Sequence, residues 1–343
     1  MTSRNKVVVT HRIDEQVQAL LAAETEICVN NSIESWPEEK LVKLASDADG
    51  LMVFLPDKID EAFLKQCTRL RVVGAALKGH DNIDVDACSR HGVWVAVAPD
   101  LFSQPTAELA LGLTLSLIRD VAPGDRLVRS GSFTGWQPHL YGSSLSGNTV
   151  GILGMGRAGQ ALARMLTGFN ARMIYYDPTP LSPVQEAMIG IGRVTFDQLI
   201  ERSDVLILMA SLMQTTFHIL NGSSMAKMKR GAYLINVGRG SVVDEAAVAQ
   251  ALRAGQLAGY AADVFGMEDR SVPDRPEQIH PSLLENTGQT LFTPHLGSAV
   301  ARVRLEIELA VARNILQALR GERPTDAINT PTARGDGVRR GSV

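Results

Sequence analysis

The first hundred residues alternate short apolar runs with segments of helical periodicity. Apolar runs occupy residues 7–9, 27–29, 51–55, 72–75 and 93–95, and helical patterns fill the intervals between them. Such alternation is typical of a parallel sheet whose two faces are covered by helices. Ligands of open parallel sheets bind beyond the carboxyl ends of the strands. We therefore expect the polar loops that follow these runs to line a site.

A glycine-rich turn opens a second α/β block. An apolar run at 149–153 leads into Gly154-x-Gly156-x-x-Gly159 and then into a helical pattern. Gly154 permits a tight turn, Gly156 lets the backbone approach a pyrophosphate, and Gly159 allows the helix to pack on the strand. The next apolar run ends in Asp177, at the spacing of an acid that binds ribose hydroxyls. The glycines alone would fit an ordinary loop, but the order strand, glycines, helix, strand, acid predicts a dinucleotide site.

Four more apolar runs continue the second block, and an amphipathic helical pattern at 301–319 then returns to the first. We therefore predict an α/β fold of two doubly wound parallel-sheet domains, with a Rossmann NAD-binding domain inserted into a flavodoxin-like substrate domain. The predicted boundaries are 1–100 with 296–329 for the substrate domain, 101–295 for the NAD-binding domain, and 330–343 for a flexible tail rich in Gly and Arg.

One long helical pattern joins the two blocks, from residue 104 to residue 131. It is rich in Ala and Leu, which indicates a buried connector between domains or subunits. Pro123 and Gly124 are expected to break or kink it. Thr106, near its start, is a candidate contact of a ligand.

Composition narrows the range of partners. The 343 residues are 45% hydrophobic and 21% charged, with a formal net charge of -3. This length can bury two cores, and the charge provides no overall basic field for nucleic acid or a membrane surface. The N-terminus lacks the apolar core of a signal peptide, and no apolar run is as long as a membrane span. We expect a cytoplasmic protein whose ligand is a small molecule.

The cysteines do not suggest a metal site or a disulfide. Cys28, Cys67 and Cys88 are odd in number, far apart and set among apolar neighbours. This pattern favours reduced thiols in the core, and we expect no bound metal.

Three polar segments follow apolar runs of the second block, at 236–240, 263–269 and 293–298. Strand ends at the crevice of a parallel sheet are where active sites assemble. Arg239 offers a planar fork of donors for an oxyanion, and His295 can exchange a proton near neutral pH. Glu268 could hold the second imidazole nitrogen. We predict Arg239, Glu268 and His295 as the catalytic group.

These segments resemble those of the D-isomer-specific 2-hydroxyacid dehydrogenases. The resemblance runs from about residue 6 to 329 and includes Asp81-Asn-Ile-Asp84, Asn236-x-x-Arg239-Gly and Thr293-Pro-His295-x-Gly. It implies an Arg–Glu–His active site facing a nicotinamide, and a homodimer. Together with the glycine turn, it indicates NAD as the cofactor, bound by Thr106, Gly154, Gly156, Arg157, Ala158, Gly159, Asp177, Ser211, Val237, Gly238, Asp263, His295 and Gly297.

Lys78 departs from the usual pattern of that family, in which a small or apolar residue is common at this place. The sequence around Lys78 resembles that of the phosphonate dehydrogenases within the family. These enzymes oxidise phosphite to phosphate by hydride transfer to NAD, with water as the nucleophile. Phosphite carries up to two negative charges, so a lysine beside Arg239 could neutralise the second. The expected substrate-binding residues are Leu55, Lys78, Gly79, Trp136, Tyr141, Arg239 and Ser298. Leu55 is itself a departure, because we expect a methionine there.

Two alternatives remain open at this point. A dehydrogenase of a short 2-hydroxy acid, or reductase of the 2-keto acid, would use His295 to protonate the carbonyl oxygen and would have no need of Lys78. A NAD-sensing binding protein, like the corepressors built on this scaffold, would need no chemistry at all. For phosphite oxidation, the sequence does not decide whether His295 or Arg239 is the general base.

Asp177 predicts NAD in preference to NADP. Its carboxylate can accept hydrogen bonds from the ribose hydroxyls of NAD, but it would repel the 2′-phosphate of NADP. The residue that follows is Pro178, so the sequence places no cation immediately after the acid.

Overall fold

The computed structural model describes residues 4–77 and 79–332, which divide into two compact units. Unit 1 contains the described residues up to Leu101 and from Val300 onward, and unit 2 is Phe102–Ala299. Residues 296–299, which we placed with the substrate domain, lie in unit 2. Lys78 and most of the predicted tail lie outside the described residues.

Unit 1 is built on a five-stranded sheet with the order β2-β1-β3-β4-β5, and all its strand pairs are parallel. This is the flavodoxin-like order that we predicted. The elements of the unit are β1 (Lys6–Val9), α1 (Glu15–Ala22), β2 (Glu26–Val29), α2 (Glu38–Ala45), β3 (Gly50–Val53), α3 (Glu61–Gln66), β4 (Val72–Ala75), α4 (Val85–Arg90), β5 (Trp94–Val97) and the C-terminal helix α13 (Ala301–Leu319).

The C-terminal helix α13 packs on the sheet of unit 1 as the 301–319 pattern predicted. A Cβ atom at Gly74 in β4 would lie 2.7 Å from the Cγ1 atom of Ile315, so a glycine is needed for this close approach. Ile315 and Val311 are fully buried there. Their burial fixes the helix against the strands that carry the loops after β3 and β4.

Unit 2 is built on a seven-stranded parallel sheet with the order β12-β11-β10-β9-β6-β7-β8. Its elements are α5 (Ser103–Ile118), α6 (Val121–Arg129), β6 (Thr149–Leu153), α7 (Arg157–Leu166), β7 (Arg172–Tyr176), α8 (Pro183–Ile189), β8 (Ile191–Arg193), α9 (Phe196–Arg202), β9 (Val205–Leu208), α10 (Gly222–Lys227), β10 (Ala232–Asn236), α11 (Glu245–Arg253), β11 (Leu257–Ala262), α12 (Pro281–Glu285) and β12 (Thr290–Phe292).

The chain reverses its direction across this sheet at β6. From β6 it proceeds to β7 and β8 on one side, and then returns to place β9 on the other side. The carboxyl ends of β6 and β9 therefore border the crevice in which doubly wound sheets bind dinucleotides. The predicted α/β fold with two parallel sheets is confirmed.

The long helical pattern is interrupted earlier than we predicted. Helix α5 ends at Ile118, and Asp120 adopts a left-handed backbone with φ 52° before α6 starts. Pro123 lies in the first turn of α6, where a missing N–H group costs nothing. The proline therefore does not break the helix, and the turn at Asp120 does. No helix in the described part of the chain is long and apolar enough to cross a membrane.

Two of the cysteines belong to the core of unit 1. Cys67 and Cys88 are buried, and none of the three cysteines is in a disulfide. Burial raises the pKa of the Cys67 thiol to about 11 and that of Cys88 to about 12. Both thiols are therefore protonated at neutral pH, which makes them poor nucleophiles.

Candidate active site

The three glycines of the turn after β6 each have a distinct physical role. Gly154 has a φ of +96°, and a Cβ atom there would lie 2.8 Å from the backbone nitrogen of Ala210. A Cβ atom at Gly159 would collide with the carbonyl oxygen of Gly154, whereas one at Gly156 would face open space. Gly154 and Gly159 thus permit the tight strand–helix contact, and Gly156 leaves room for a ligand against the backbone.

Helix α7 begins directly after this turn, with Gly156 as its N-cap residue. No side-chain hydrogen bond caps the helix there, and the N–H groups at the start of a helix have no acceptor within the helix. An uncapped helix start with open space beside it favours an anion. The turn therefore fits the pyrophosphate of NAD.

Asp177 follows β7 and borders the same turn. One carboxylate oxygen accepts a hydrogen bond of 2.7 Å from the backbone N–H of Met155, and the other accepts one of 2.8 Å from Thr179. The acid is thereby fixed next to the glycine turn, at the position expected for the adenosine ribose. Ionised carboxylate oxygens have further lone pairs, so Asp177 can still accept from a ribose hydroxyl.

His295 and Glu268 form a hydrogen-bonded pair. The imidazole Nδ1 lies 2.7 Å from Oε2 of Glu268, and Oε1 of the same carboxylate accepts from the backbone N–H of Phe265 at 2.8 Å. The carboxylate is thus oriented from one side and holds the ring from the other. About a third of the His295 side chain is exposed, at 31%. This arrangement assigns the pair's hydrogen bond to Nδ1 and leaves Nε2 for a substrate.

The turn that carries Arg239 packs against the turn that carries Glu268. A Cβ atom at Gly240 would collide with the carbonyl carbon of Phe265, so the two backbones approach closely. The side-chain amide of Asn236 donates to the carbonyl oxygen of Arg239 at 2.9 Å, and Nη1 of Arg239 donates to the carbonyl oxygen of Gly238 at 3.0 Å. The structure therefore brings the loops of all three predicted catalytic residues to one edge of the sheet of unit 2.

Asp263 has a role that the sequence did not reveal. It is 1% exposed, and its Oδ1 atom accepts hydrogen bonds of 2.6 Å from the Thr293 hydroxyl and from Leu296 N–H. Its Oδ2 atom accepts from Gly297 N–H at 2.9 Å. Burial raises the pKa of this carboxyl, and the three hydrogen bonds oppose that rise. Asp263 thus holds both sides of the loop that presents His295.

Other residues that we expected to bind NAD lie around this loop and the glycine turn. The Thr106 hydroxyl donates to the carbonyl oxygen of Gly297 at 3.3 Å, which ties the start of α5 to the His295 loop. Gly238 packs so closely on Ala210 that a Cβ atom would collide with its carbonyl oxygen. Val237 is buried, whereas Ser211 is exposed beyond the end of β9. These assignments to NAD stay predictions.

The expected substrate-binding residues are divided between the two units. Leu55 and Gly79 belong to unit 1, and Ser298 lies half-buried in the His295 loop of unit 2. Trp136 and Tyr141 are 82% and 74% exposed in the single chain. They lie in an irregular segment after α6.

Comparison with known sequences assigns the chain to a family. The sequence pattern described as "D-isomer specific 2-hydroxyacid dehydrogenase, NAD binding domain" matches residues 111–297, which is more than half of the chain. The chain belongs to the D-isomer-specific 2-hydroxyacid dehydrogenase family. The resemblance predicted this family, and NAD as the cofactor of this dehydrogenase is confirmed.

Relatives cover almost the whole dehydrogenase. The glyoxylate reductase of Pyrococcus furiosus is 35% identical over 329 residues, covering 94% of this chain and 95% of the relative. The glyoxylate reductase of Thermofilum pendens is 34% identical over 331 residues, with 95% of each chain covered. These relatives are named for glyoxylate and not for phosphite, so the comparison favours the alternative substrate over the one that we expected first.

Solved structures show the same architecture. The TT0316 protein from Thermus thermophilus superposes with a TM-score of 0.85 at 31% identity, covering 94% of this chain and all of that one. An NADPH-dependent glyoxylate/hydroxypyruvate reductase from Sinorhizobium meliloti, in complex with NADP and malonate, gives a TM-score of 0.81 at 27% identity, with 97% and 99% covered.

Proposed function

We propose that this dehydrogenase interconverts a short 2-keto acid of the glyoxylate class and the corresponding 2-hydroxy acid with NAD(H). The observation that carries the proposal is the 2.7 Å hydrogen bond between His295 and Glu268, beside the turn of Arg239. An oriented imidazole and an arginine at one sheet edge match the needs of a carbonyl with an adjacent carboxylate. The names of the glyoxylate reductase relatives support the same substrate class.

Each side chain has a task in this reaction. The bound cofactor supplies or accepts the hydride at its nicotinamide ring. Arg239 binds the substrate carboxylate through paired N–H donors. His295 holds the proton that the carbonyl oxygen takes up on reduction, at Nε2, and recovers it on oxidation. Glu268 keeps the ring in one tautomer and orientation by accepting from Nδ1.

Phosphite is the second candidate substrate, and Lys78 is the observation that favours it. A monocarboxylate needs one cation, which Arg239 provides, whereas a phosphite dianion needs a second positive charge. Gly79 and His80, which follow Lys78 in the sequence, lie in the loop after β4 at the carboxyl edge of the sheet of unit 1. In that reaction, His295 or Arg239 would take the proton of the attacking water.

One assay distinguishes these candidates. The purified protein is mixed with NADH and glyoxylate, pyruvate or hydroxypyruvate, and separately with NAD and phosphite, while absorbance of the reduced cofactor is recorded. Turnover of a keto acid with kcat/KM above that for phosphite supports the first proposal, and the reverse order supports the second. Turnover of neither, with tight NADH binding, would overturn both in favour of a NAD-sensing protein.

We propose that the protein is a homodimer. Large apolar side chains are exposed in the single chain along α6 and the segment after it: Val121, Val128, Phe133, Trp136, Leu140 and Tyr141. An exposed apolar patch of this kind is typical of an interface. Light scattering coupled to size exclusion should give twice the chain mass of 37.0 kDa. A monomer at micromolar concentration would contradict this proposal.

A further inference from the structure

A cation lies beside Asp177, and it comes from a strand that the sequence did not predict. Arg193 ends β8, where its backbone is paired in register with Tyr175 of β7. Its Nη2 atom donates to the carbonyl oxygens of Asp177 at 3.0 Å and Pro178 at 3.3 Å. The guanidinium is therefore tied to the backbone of the acid that should bind the ribose.

The remaining donors of Arg193 are available to a ligand. Both hydrogen bonds to carbonyl oxygens use Nη2, which leaves the Nη1 and Nε donors of the planar fork. The residue is exposed, and within the described residues no carboxylate forms an ion pair with it. An arginine whose planar fork has donors left over is suited to a phosphate, which it can bind through two parallel hydrogen bonds.

Asp177 and Arg193 have opposite effects on a phosphate at this place. Asp177 is fixed by Met155 and Thr179, so its negative charge cannot easily turn away from the 2′ position of the ribose. Arg193 donates a hydrogen bond to the carbonyl oxygen of Asp177, so its positive charge stays close to the carboxylate of that residue. The positive charge of Arg193 thereby weakens the repulsion between the Asp177 carboxylate and a phosphate bound beside it.

We infer that Arg193 binds the 2′-phosphate of NADP and, with Asp177, sets how strongly the protein discriminates between NAD and NADP. The expectation that no cation accompanies the acid holds only for the residues next to Asp177 in sequence. The cation is supplied by the neighbouring strand. The inference concerns cofactor binding alone and holds for either proposed substrate.

Binding of reduced cofactors tests this role without any turnover. Dissociation constants of NADH and NADPH are measured from the change in cofactor fluorescence for the wild type, Arg193→Gln and Arg193→Lys. Arg193→Gln should raise the Kd of NADPH by about fivefold or more and that of NADH by less than about twofold, and Arg193→Lys should lie between. Arg172→Gln, at the opposite end of β7, is the matched control and should change neither.

A second set of variants carries Asp177→Asn, which removes the repulsion between the Asp177 carboxylate and the 2′-phosphate. The Kd of NADPH can then be measured even if binding to the wild type is weak. Asp177→Asn should lower the Kd of NADPH by about fivefold or more, and adding Arg193→Gln should reverse about that much. An unchanged NADPH Kd on adding Arg193→Gln in this background would overturn the inference. So would equal losses of NADH and NADPH affinity, because they would indicate a structural role. Circular dichroism verifies that each variant is folded.

Discussion

Asp263 and Thr293 are joined by a hydrogen bond of 2.6 Å between a buried carboxylate and a hydroxyl, and Thr293 lies two residues before His295. The same carboxylate accepts from Leu296 and Gly297 on the other side of His295. The ends of the loop are thus fixed by one side chain at the end of β11. The orientation of His295 depends on this carboxylate as well as on Glu268.

Replacing Asp263 by Asn should weaken both the fold and the reaction. The amide has one acceptor oxygen where the carboxylate uses two, so at least one buried N–H group loses its partner, at a cost of about 1–3 kcal/mol in the free energy of unfolding. We expect kcat to fall more than NADH affinity, because the imidazole moves. Urea unfolding and steady-state kinetics measure the two effects. Thr293→Val and the double variant complete a cycle, and strict additivity would contradict the coupling.

Replacing His295 by Gln should lower kcat/KM by about 10²–10⁴, because the group that exchanges the proton is lost. The Kd of NADH should change by less than about twofold, since the imidazole serves the reacting atoms. Glu268→Gln, which keeps an acceptor for Phe265 N–H, is the graded control and should lose less activity. Substantial residual activity in His295→Gln would assign the proton transfer to another group, and Arg239 would be the next candidate.

Replacing Lys78 by Met should separate the two proposed substrates. Loss of a charge-assisted hydrogen bond of about 1.5–3 kcal/mol should raise the KM for phosphite about tenfold or more, with a smaller effect on kcat. The KM for glyoxylate should rise less than about threefold, because Arg239 already neutralises a monoanion. Lys58→Met, in which an exposed lysine near the same sheet edge is removed, is the control. Equal effects on both substrates would exclude a role for Lys78 in discrimination.

Replacing Gly240 by Ala should disturb the active site from the backbone. The new Cβ atom would collide with Phe265, so the turns of Arg239 and Glu268 must separate, at a cost of about 1–3 kcal/mol in stability. We expect a large loss of kcat as well. Gly222→Ala is the matched control, because a Cβ atom there meets nothing within 4 Å. Similar thermal stability and activity of the two variants would contradict the close packing.

Replacing Glu61 by Gln should produce a stability loss that depends on pH. Hydrogen bonds from His91 and Arg90 lower the pKa of the Glu61 carboxyl from 4.5 to about 2, and the bond from His91 has the larger effect. An acid whose pKa is lower in the folded state stabilises the fold above its unfolded pKa and loses that effect as pH falls. The difference in Tm between wild type and variant should therefore shrink as the pH falls from about 4.5 to about 2. A difference that is independent of pH would contradict the ion pairing.

Parts of the site that depend on local backbone chemistry could be predicted from the sequence. The spacing of Gly154, Gly156 and Gly159 specifies the turn, because a Cβ atom at Gly154 or Gly159 would collide with backbone atoms. The proximity of Arg239 and His295 could be predicted, because the carboxyl ends of parallel strands lie at one edge of a sheet. The doubly wound character of both sheets followed from the same alternation of apolar runs and helices.

Other parts depend on tertiary contacts that no local pattern records. The carboxylate of Asp263 selects partners 30 or more residues away, at Thr293 and Leu296. Strand β8 has three residues, and only Ile191 is buried, so it gave no apolar run and Arg193 could not be placed. The end of α5 before Asp120 is set by the fold of the following segment, whereas the proline nearby suggested a later break.

The backbone of His295 is left-handed, with a φ of 55°, although the residue is not a glycine. A conformation of this kind costs a non-glycine residue about 1–3 kcal/mol, and surrounding structure must impose it. A library selected for thermal resistance alone should therefore recover glycine or asparagine at position 295, at the expense of turnover. Evolution of this loop is constrained in two directions at once, since the proposed chemistry requires the ring and the peptide geometry disfavours it.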